Sequence, residues 1–483
     1  MPGMRFDNYI DGRWCEGAEY RGNLNPSDQG DLIGDYAQAD AAQTGEAIAA
    51  ARSAFQAWSQ VSPQQRFDIL DGAGSLILAR RDALGRLLAR EEGKTLAEAI
   101  AEVGRAGQIF KFFAGEALRL HGEILGSVRP GLNVEVTREP LGVVGLITPW
   151  NFPMAIPAWK IAPALAYGNT LVFKPSGRVP GCAWALVDIL NEAGVPRGVV
   201  NLVMGTGAVV GQVLSESPLV DAVSFSGSVQ TGQRIAAACL PLRKKLQLEM
   251  GGRNPMVVLD DADLDVAVEA CISGAFHATG QRCTASSRLI VTAGIHDRFV
   301  AAMLERMTAL QVGHALMPEV DIGPVVDATQ LRKNQDNLAM ARAEGGLVHG
   351  GELLDLETRG FFMRPALVVG VESHMRIGRE DIFGPIALIL RARDYAEALA
   401  LANDSELGLS AGICTRSLNH ASHFKRHVQA GMVVINAATA GSDYHVPFGG
   451  RKHSSYGPWE QGHARDFFTL VKTTYLNGGS VPV

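Results

Sequence analysis

Val143-Val144-Gly145-Leu146-Ile147-Thr148-Pro149-Trp150-Asn151-Phe152-Pro153 decides how this chain is read: a short apolar run stops at a stiff, aromatic, proline-bracketed loop. Runs of the same texture recur at 171–173, 199–204, 222–225 and 256–259, with helical stretches between them. Short apolar runs alternating with helices predict a parallel sheet with crossover helices. A second alternating region extends from 263 to about 431, with helices expected near 263–278 and 296–310 and strands near 289–291 and 386–390. Two α/β lobes account for both regions, and the absence of a repeat or a long polar linker predicts that they pack directly on each other.

Upstream, residues 39–121 place Ala, Leu and Ile at three- and four-residue steps with Arg and Glu between them, which predicts helices forming a covering layer. Residues 123–140 alternate as Val134-Glu135-Val136-Thr137-Arg138 between Pro130-Gly131 and Pro140, the signature of an exposed hairpin. Residues 467–475 alternate Val, Thr and Tyr like an edge strand. An unpaired edge is an aggregation hazard, so a partner for it is expected.

The 483 residues are 47% hydrophobic and 19% charged, the composition of a soluble chain of two or three domains. A formal net charge of -6 without a basic stripe argues against nucleic acid or an anionic membrane as the main partner. No stretch is apolar for the length of a bilayer span, and Met1 to Tyr9 do not read as a leader, so a cytoplasmic location is expected. Cys15, Cys182, Cys239, Cys271, Cys283 and Cys414 show neither close pairing nor metal-type spacing, and no metal site is expected.

Cys283 stands out among them. Its run Gly280-Gln281-Arg282-Cys283-Thr284 is polar and small, where a structural thiol would have apolar neighbours, and Arg282 could supply the field that lowers a thiol pKa. Glu249, in Leu248-Glu249-Met250-Gly251-Gly252, is a carboxylate among apolar residues followed by glycines that let backbone approach a ligand. Thiol and tuned carboxylate together point to covalent acyl chemistry. Asn151 offers an amide donor suited to an oxyanion, or to capping a turn. Phe225-Ser226-Gly227-Ser228-Val229-Gln230-Thr231-Gly232 follows a strand and opens a helix, where free N–H groups could meet a pyrophosphate, although it is not the Gly-x-Gly-x-x-Gly pattern. Lys174-Pro175-Ser176 ends another strand, the place where ligands bind in open α/β sheets.

Those motifs, followed by Ile382-Phe383-Gly384-Pro385 and Pro447-Phe448-Gly449-Gly450, occur in an order and spacing that resembles the aldehyde dehydrogenase superfamily over nearly the whole chain. The resemblance implies a Rossmann-type cofactor domain from 1–122 and 141–252, an α/β catalytic domain over 253–431, a small β oligomerisation flap from 123–140 and 465–483, and a substrate-entrance and return segment at 432–464. It implies that Cys283 attacks an aldehyde, Asn151 stabilises the oxyanion, hydride leaves the thiohemiacetal for the nicotinamide of NAD or NADP, and Glu249 activates water to release a free acid. Trp150, Lys174, Ser176, Gly205, Gly227, Ser228, Gly232, Met250, Gly251, Asp381 and Phe383 are the implied cofactor contacts. Asp381 departs from the family's usual glutamate, and Gly177 stands where NAD-selective relatives carry one, so NADP is expected to be tolerated.

Within the superfamily, residues 153–160 and 446–458 are most similar to bacterial 2-oxoglutarate semialdehyde (2,5-dioxopentanoate) dehydrogenases. A carboxylated aldehyde calls for an arginine, and Arg282, Arg288 and Arg451 are the expected candidates, with Tyr444, His445 and Phe448 lining the pocket. The alternatives are another semialdehyde or small aldehyde, such as succinate semialdehyde or betaine aldehyde, or a non-catalytic structural or binding relative. A homodimer or homotetramer is expected.

Overall fold

The computed structural model describes residues 4–478. Its first sheet has eight strands, five of them parallel, in the spatial order Lys245–Met250, Ala222–Gly227, Val143–Ile147, Thr170–Lys174, Val200–Leu202. Both faces are covered. Along Thr170–Lys174, Leu171 and Phe173 enter one core with the helices Pro63–Ala79, Leu96–Leu118 and Ala155–Ala166, while Val172 enters the other with Ala41–Ser59 and Val229–Cys239. Two-sided burial is why these strands are uniformly apolar rather than alternating. Val143–Ile147 is flanked by the next strand in sequence on one side and by Ala222–Gly227 on the other, so connections leave it in opposite directions. The carboxyl ends of this pair open a crevice at the switch point of the sheet, the place where an open α/β sheet takes a ligand.

The second sheet has seven strands in the order Leu347–Gly350, Ala366–Val369, Ile386–Ala392, Arg288–Thr292, Pro255–Val258, Ser410–Cys414, Met432–Ile435, with only the first antiparallel to its neighbour. It too has a core on each face. A third, exposed sheet joins Glu123–Gly126, Leu132–Pro140 and Thr469–Asn477, with Thr469 opposite Pro140 and Asn477 opposite Leu132. The last strand begins two residues later than its alternation predicts: Ala464–Phe468 is helical, and Phe467 and Phe468 are buried in the first core. Residues 1–3 of the expected cofactor domain and 479–483 of the expected flap lie outside the described residues.

Two features depart from the sequence reading. Before residue 39 the chain forms strands, including the antiparallel pair Glu19–Asn25 and Asp28–Gln38, where Gly, Asn and Asp dilute any alternation. The helices Ala41–Ser59, Pro63–Ala79 and Arg81–Glu92 lie where a covering layer is expected, but Leu96–Leu118 turns one face toward the functional crevice. No helix among the described residues is long and apolar enough to cross a membrane.

Candidate active site

Cys283 sits where the second lobe turns back toward the first. After the helix Leu264–Phe276, Ala278, Thr279 and Gly280 take φ of 51°, 57° and 64°, a left-handed run that reverses the chain. A Cβ at Gly280 would stand 2.1 Å from the carbonyl oxygen of Gly384, so only glycine fits there. The two non-glycine residues store strain that must be held from outside, and Ala278 N–H donates to Glu98 Oε1 at 2.8 Å. Cys182, Cys239, Cys271 and Cys414 are buried, whereas Cys283 is half-buried; Cys15 shares that exposure but lies in Arg13–Cys15, at the edge of the first sheet. The Cys283 carbonyl accepts from Asn254 Nδ2 at 2.8 Å, and a Cβ at Gly252 would come within 2.7 Å of the same oxygen. The two lobes therefore touch directly beneath the sulfur.

The thiol is pushed up to about 12 by burial first and then by the negative fields of Glu249 and Glu460, with the N–H groups of Cys283 and Thr284 acting in the opposite sense. Arg282 attracts the thiolate, but not enough to offset these. Its Nη2 donates to the carbonyl oxygens of Ser273 and Gly274 at the end of the helix Leu264–Phe276, which holds the guanidinium at that helix end and corrects the expectation that it reaches a substrate. Arg288 is buried with Nη2 on Leu401 O at 3.0 Å, and Arg451 is exposed in a short strand paired with Leu407–Gly408, so neither is a pocket arginine.

Asn151 lies in the loop at the carboxyl end of Val143–Ile147, is 3% exposed and is fixed at both ends. Its Nδ2 donates to Gln281 O at 3.0 Å, which ties it to the Cys283 turn, and its backbone carbonyl oxygen accepts from Lys94 Nζ at 2.8 Å. The second Nδ2 hydrogen has no acceptor among the described residues. Lys94 is itself buried: it donates to Glu102 Oε2 at 2.6 Å and lies 3.9 Å from the Phe152 ring centre. Glu102 Oε1 accepts the N–H groups of Met154 and Ala155, at 2.9 and 3.1 Å, where the helix after the Asn151 loop begins. That is an anionic cap on a helix N-terminus.

Glu249 ends the strand Lys245–Met250 and is 7% exposed. Burial drives its carboxyl well above the ordinary range, Glu460 pushes the same way, and the Ser455 hydroxyl and Lys160 oppose them. Ser455 Oγ donates to Glu249 Oε2 and accepts from Gly450 N–H, which fixes the carboxyl's posture. Lys160 is a lone ammonium in a helix buried at every position; it pairs with Glu460 and donates to Ser224 Oγ at 2.7 Å. The negative field of Glu249 also raises the proton affinity of Cys283, since burial disfavours both being charged.

Lys94, Glu98, Glu102, Arg105, Glu460, Ser455 and Lys160 are absent from the sequence-based site. Glu98, Glu102 and Arg105 follow at steps of four and three on one face of Leu96–Leu118, and Phe112, seven residues past Arg105, meets Tyr444 edge to face at 5.8 Å. That stripe could have been counted from sequence, whereas the partners of Lys160 and Ser455 could not, because they are some 200 to 300 residues distant.

The remaining predicted residues sort themselves along the crevice. Lys174 ends its strand at 6% exposure; burial lowers its ammonium to about 8, and its one acceptor among the described residues is Pro175 O at 2.9 Å. A buried ammonium with unused donors fits ribose hydroxyls. Ser176 follows in the turn. Ser228 caps the helix Val229–Cys239 by accepting from Thr231 N–H, and a Cβ at Gly232 would strike Met250 Sδ at 2.2 Å, so that helix packs tightly on the strand carrying Glu249. A Cβ at Gly227 would meet the Phe225 ring at 2.5 Å, and one at Gly205 would meet Val210 Cγ2 at 2.7 Å. The helix N-terminus, its close backbone and the lysine fit a dinucleotide. Trp150 and Phe383 meet edge to face at 5.3 Å, with Arg178 5.5 Å above the indole. Asp381 is exposed at the rim with Oδ2 facing Gly251. On the other side, Phe448 packs on Trp159 at 5.4 Å, Tyr444 is half-buried and His445 is exposed.

Comparison with known proteins places this geometry. The aldehyde dehydrogenase family model matches residues 14–474. The chain is 41% identical over 477 residues to an alpha-ketoglutaric semialdehyde dehydrogenase of Bacillus subtilis, covering 97% of each protein, and 40% identical over 475 residues to an alpha-ketoglutarate semialdehyde dehydrogenase of Haloferax volcanii, covering 97% of this chain and 98% of the relative. Among solved structures, an NAD-dependent aldehyde dehydrogenase from Sinorhizobium meliloti superposes with a TM-score of 0.96 at 33% identity, covering 99% of this chain and 96% of the other.

Proposed function

This chain belongs to the aldehyde dehydrogenase family, an NAD(P)-dependent oxidoreductase by that membership, and on that premise we propose that it oxidises 2-oxoglutarate semialdehyde to the free dicarboxylic acid through a covalent bond to Cys283. The observation that carries the reading is the convergence of a half-buried thiol, a fixed amide and a high-pKa carboxyl on the crevice at the switch point of the first sheet. Lys174, Ser176, Gly205, Gly227, Ser228, Gly232, Trp150, Met250, Gly251, Asp381 and Phe383 would hold the dinucleotide, which supplies the hydride acceptor when bound.

The chain's own residues do the rest. Glu249 takes the thiol proton, and Cys283 Sγ bonds to the aldehyde carbon while the carbonyl electron pair moves to oxygen. The oxyanion is met by Asn151 Nδ2 and Cys283 N–H, fixed donors each worth about 3 kcal/mol to such a charge. Once hydride has left, Cys283 carries an acyl group as a thioester. Glu249 gives the proton it took from the thiol to solvent, then removes a proton from water as the water oxygen bonds to the acyl carbon; the C–S bond breaks, the free acid leaves and the thiolate takes up the proton held by Glu249. The retained glutamate supports release of the acid rather than transfer to another thiol. The names of the most similar relatives support the carboxylated semialdehyde. Exposed Ile124, Val471 and Tyr475 on the third sheet, and Val128 in its hairpin loop, support a homodimer or homotetramer built on that flap, and the net charge of -6 supports an enzyme without nucleic-acid or anionic-membrane partners.

The test is direct. Purified enzyme with 2-oxoglutarate semialdehyde should form one NADH or NADPH per free 2-oxoglutarate, and Cys283→Ser should lose at least about 1,000-fold in turnover. Undiminished turnover by that variant would defeat the covalent route, and a wild-type preference for neutral aldehydes would defeat the substrate.

A further inference from the structure

We infer that Arg105 is the residue that receives the carboxylate of the substrate. The inference rests on the acidic-semialdehyde reading above and supplies the recognition element that reading lacks, since Arg282, Arg288 and Arg451 are all turned elsewhere.

Arg105 projects from the helix face whose other members already serve the site. Glu98, seven residues before it, holds the strained turn ahead of Cys283, and Glu102, one turn before it, holds the start of the Asn151-loop helix. The same face therefore delivers Arg105 into the space between those two elements. Its guanidinium lies over the Trp159 ring at 5.9 Å, and that indole also packs on Phe448, so the cation sits against an apolar floor. Its Nη2 donates to Ser442 Oγ at 2.9 Å, in the segment whose Thr439 donates to the carbonyl of Thr284, next to the nucleophile.

What is missing is an anion. Arg105 makes no ion pair among the described residues, and its Nε is buried with no acceptor. Arg52 and Arg90 each have an aspartate at 2.7 or 2.6 Å; Arg66, Arg253, Arg282 and Arg288 share a buried Nε without an acceptor, so it is the position of Arg105 against Trp159 and Ser442 that gives its idle donor a use. Desolvation works against the Arg105 charge, while Glu102, Asp443 and Cys283 act to hold it, which places the guanidinium within electrostatic reach of the reacting sulfur. A buried guanidinium with idle donors is costly unless a ligand completes it, and a carboxylate matches its fork better than any neutral group. An ω-oxo acid whose aldehyde carbon is at Cys283 and whose carboxylate is a few bonds away fits that gap, and the hydroxyl of Ser442 holds the guanidinium in place for it.

The experiment compares kcat/KM for 2-oxoglutarate semialdehyde with that for pentanal, in wild type, Arg105→Leu and Arg105→Lys. The ratio of acid to neutral aldehyde should fall about 100-fold in Arg105→Leu, carried mainly by KM, and by an intermediate amount in Arg105→Lys, which keeps the charge and loses the fork. Using the ratio separates recognition from misfolding, since a damaged fold lowers both substrates together. A wild type that prefers pentanal would overturn the substrate reading itself. A wild type that prefers the acid, with a ratio unmoved in Arg105→Leu, would overturn the assignment of Arg105 alone. An equal loss on both substrates would overturn it as well, leaving Arg105 a structural residue.

Discussion

Lys94 offers the sharpest separation between folding and catalysis in this molecule. Its ammonium is 2% exposed at the side chain, contacts Glu102 Oε2 at 2.6 Å and Asn151 O at 2.8 Å, and lies 3.8 Å from Glu92 Oε2. Lys94→Met keeps length and apolar volume but leaves Glu102 charged and buried without a cation, a change that costs about 3–5 kcal/mol. It also frees the Asn151 carbonyl, while Asn151 Nδ2 stays on Gln281 O at 3.0 Å. One anchor of two is lost, so the cost to the oxyanion is bounded by the roughly 3 kcal/mol of a whole donor, and kcat should fall between about 10- and 100-fold. Adding Glu102→Gln restores neutrality: the amide oxygen can still accept the Met154 and Ala155 N–H groups. The double variant should therefore recover most of the stability and little of the kcat. Stability is read as the shift of the urea midpoint at constant slope, and kcat under saturating aldehyde and cofactor. Recovery of kcat in step with stability would refute the positioning role, and a single-variant cost below about 1 kcal/mol would refute the buried ion pair.

Other outcomes follow from the same geometry. Because Glu460 raises the proton affinity of Glu249 and the Ser455 hydroxyl lowers it, Glu460→Gln should move the rising limb of the deacylation pH profile to lower pH and Ser455→Ala should move it to higher pH; shifts of the same sign would contradict the assignment of the base. Gly177 has open space around an added Cβ, so Gly177→Glu should be tolerated and should cut kcat/KM for NADP at least about tenfold more than for NAD; equal losses would mean that residue 177 is remote from the ribose.

The fold was legible because two-sided burial leaves a compositional trace: runs such as Val143–Ile147 and Thr170–Lys174 are apolar throughout, and the motifs at their carboxyl ends are local. The antiparallel pair Glu19–Asn25 and Asp28–Gln38 left no such trace, since most of its residues are half or fully exposed and its glycines break the pattern. For the site, the same division holds between what one segment fixes and what separate segments share. Cys283, Glu249 and Asn151 announce themselves by their immediate neighbours. Arg282 also has the right neighbours, but adjacency in sequence says nothing of direction: the chain reverses at 278–280, and Arg282 finds the free carbonyls of the preceding helix. The charges that act most on the thiol, Glu249 and Glu460, arrive through space from other elements, and Leu96–Leu118 brings a further set to the site: Lys94, Glu98, Glu102 and Arg105 lie on or just before it at the spacing of one helical face. Carboxylates that cap a strained turn and a helix start, a lysine that neutralises one of them and an arginine left without an anion are four solutions to one constraint, that burial tolerates charge only when each charge has something to hold. Three of these residues hold parts of the protein, and the fourth is left for the substrate.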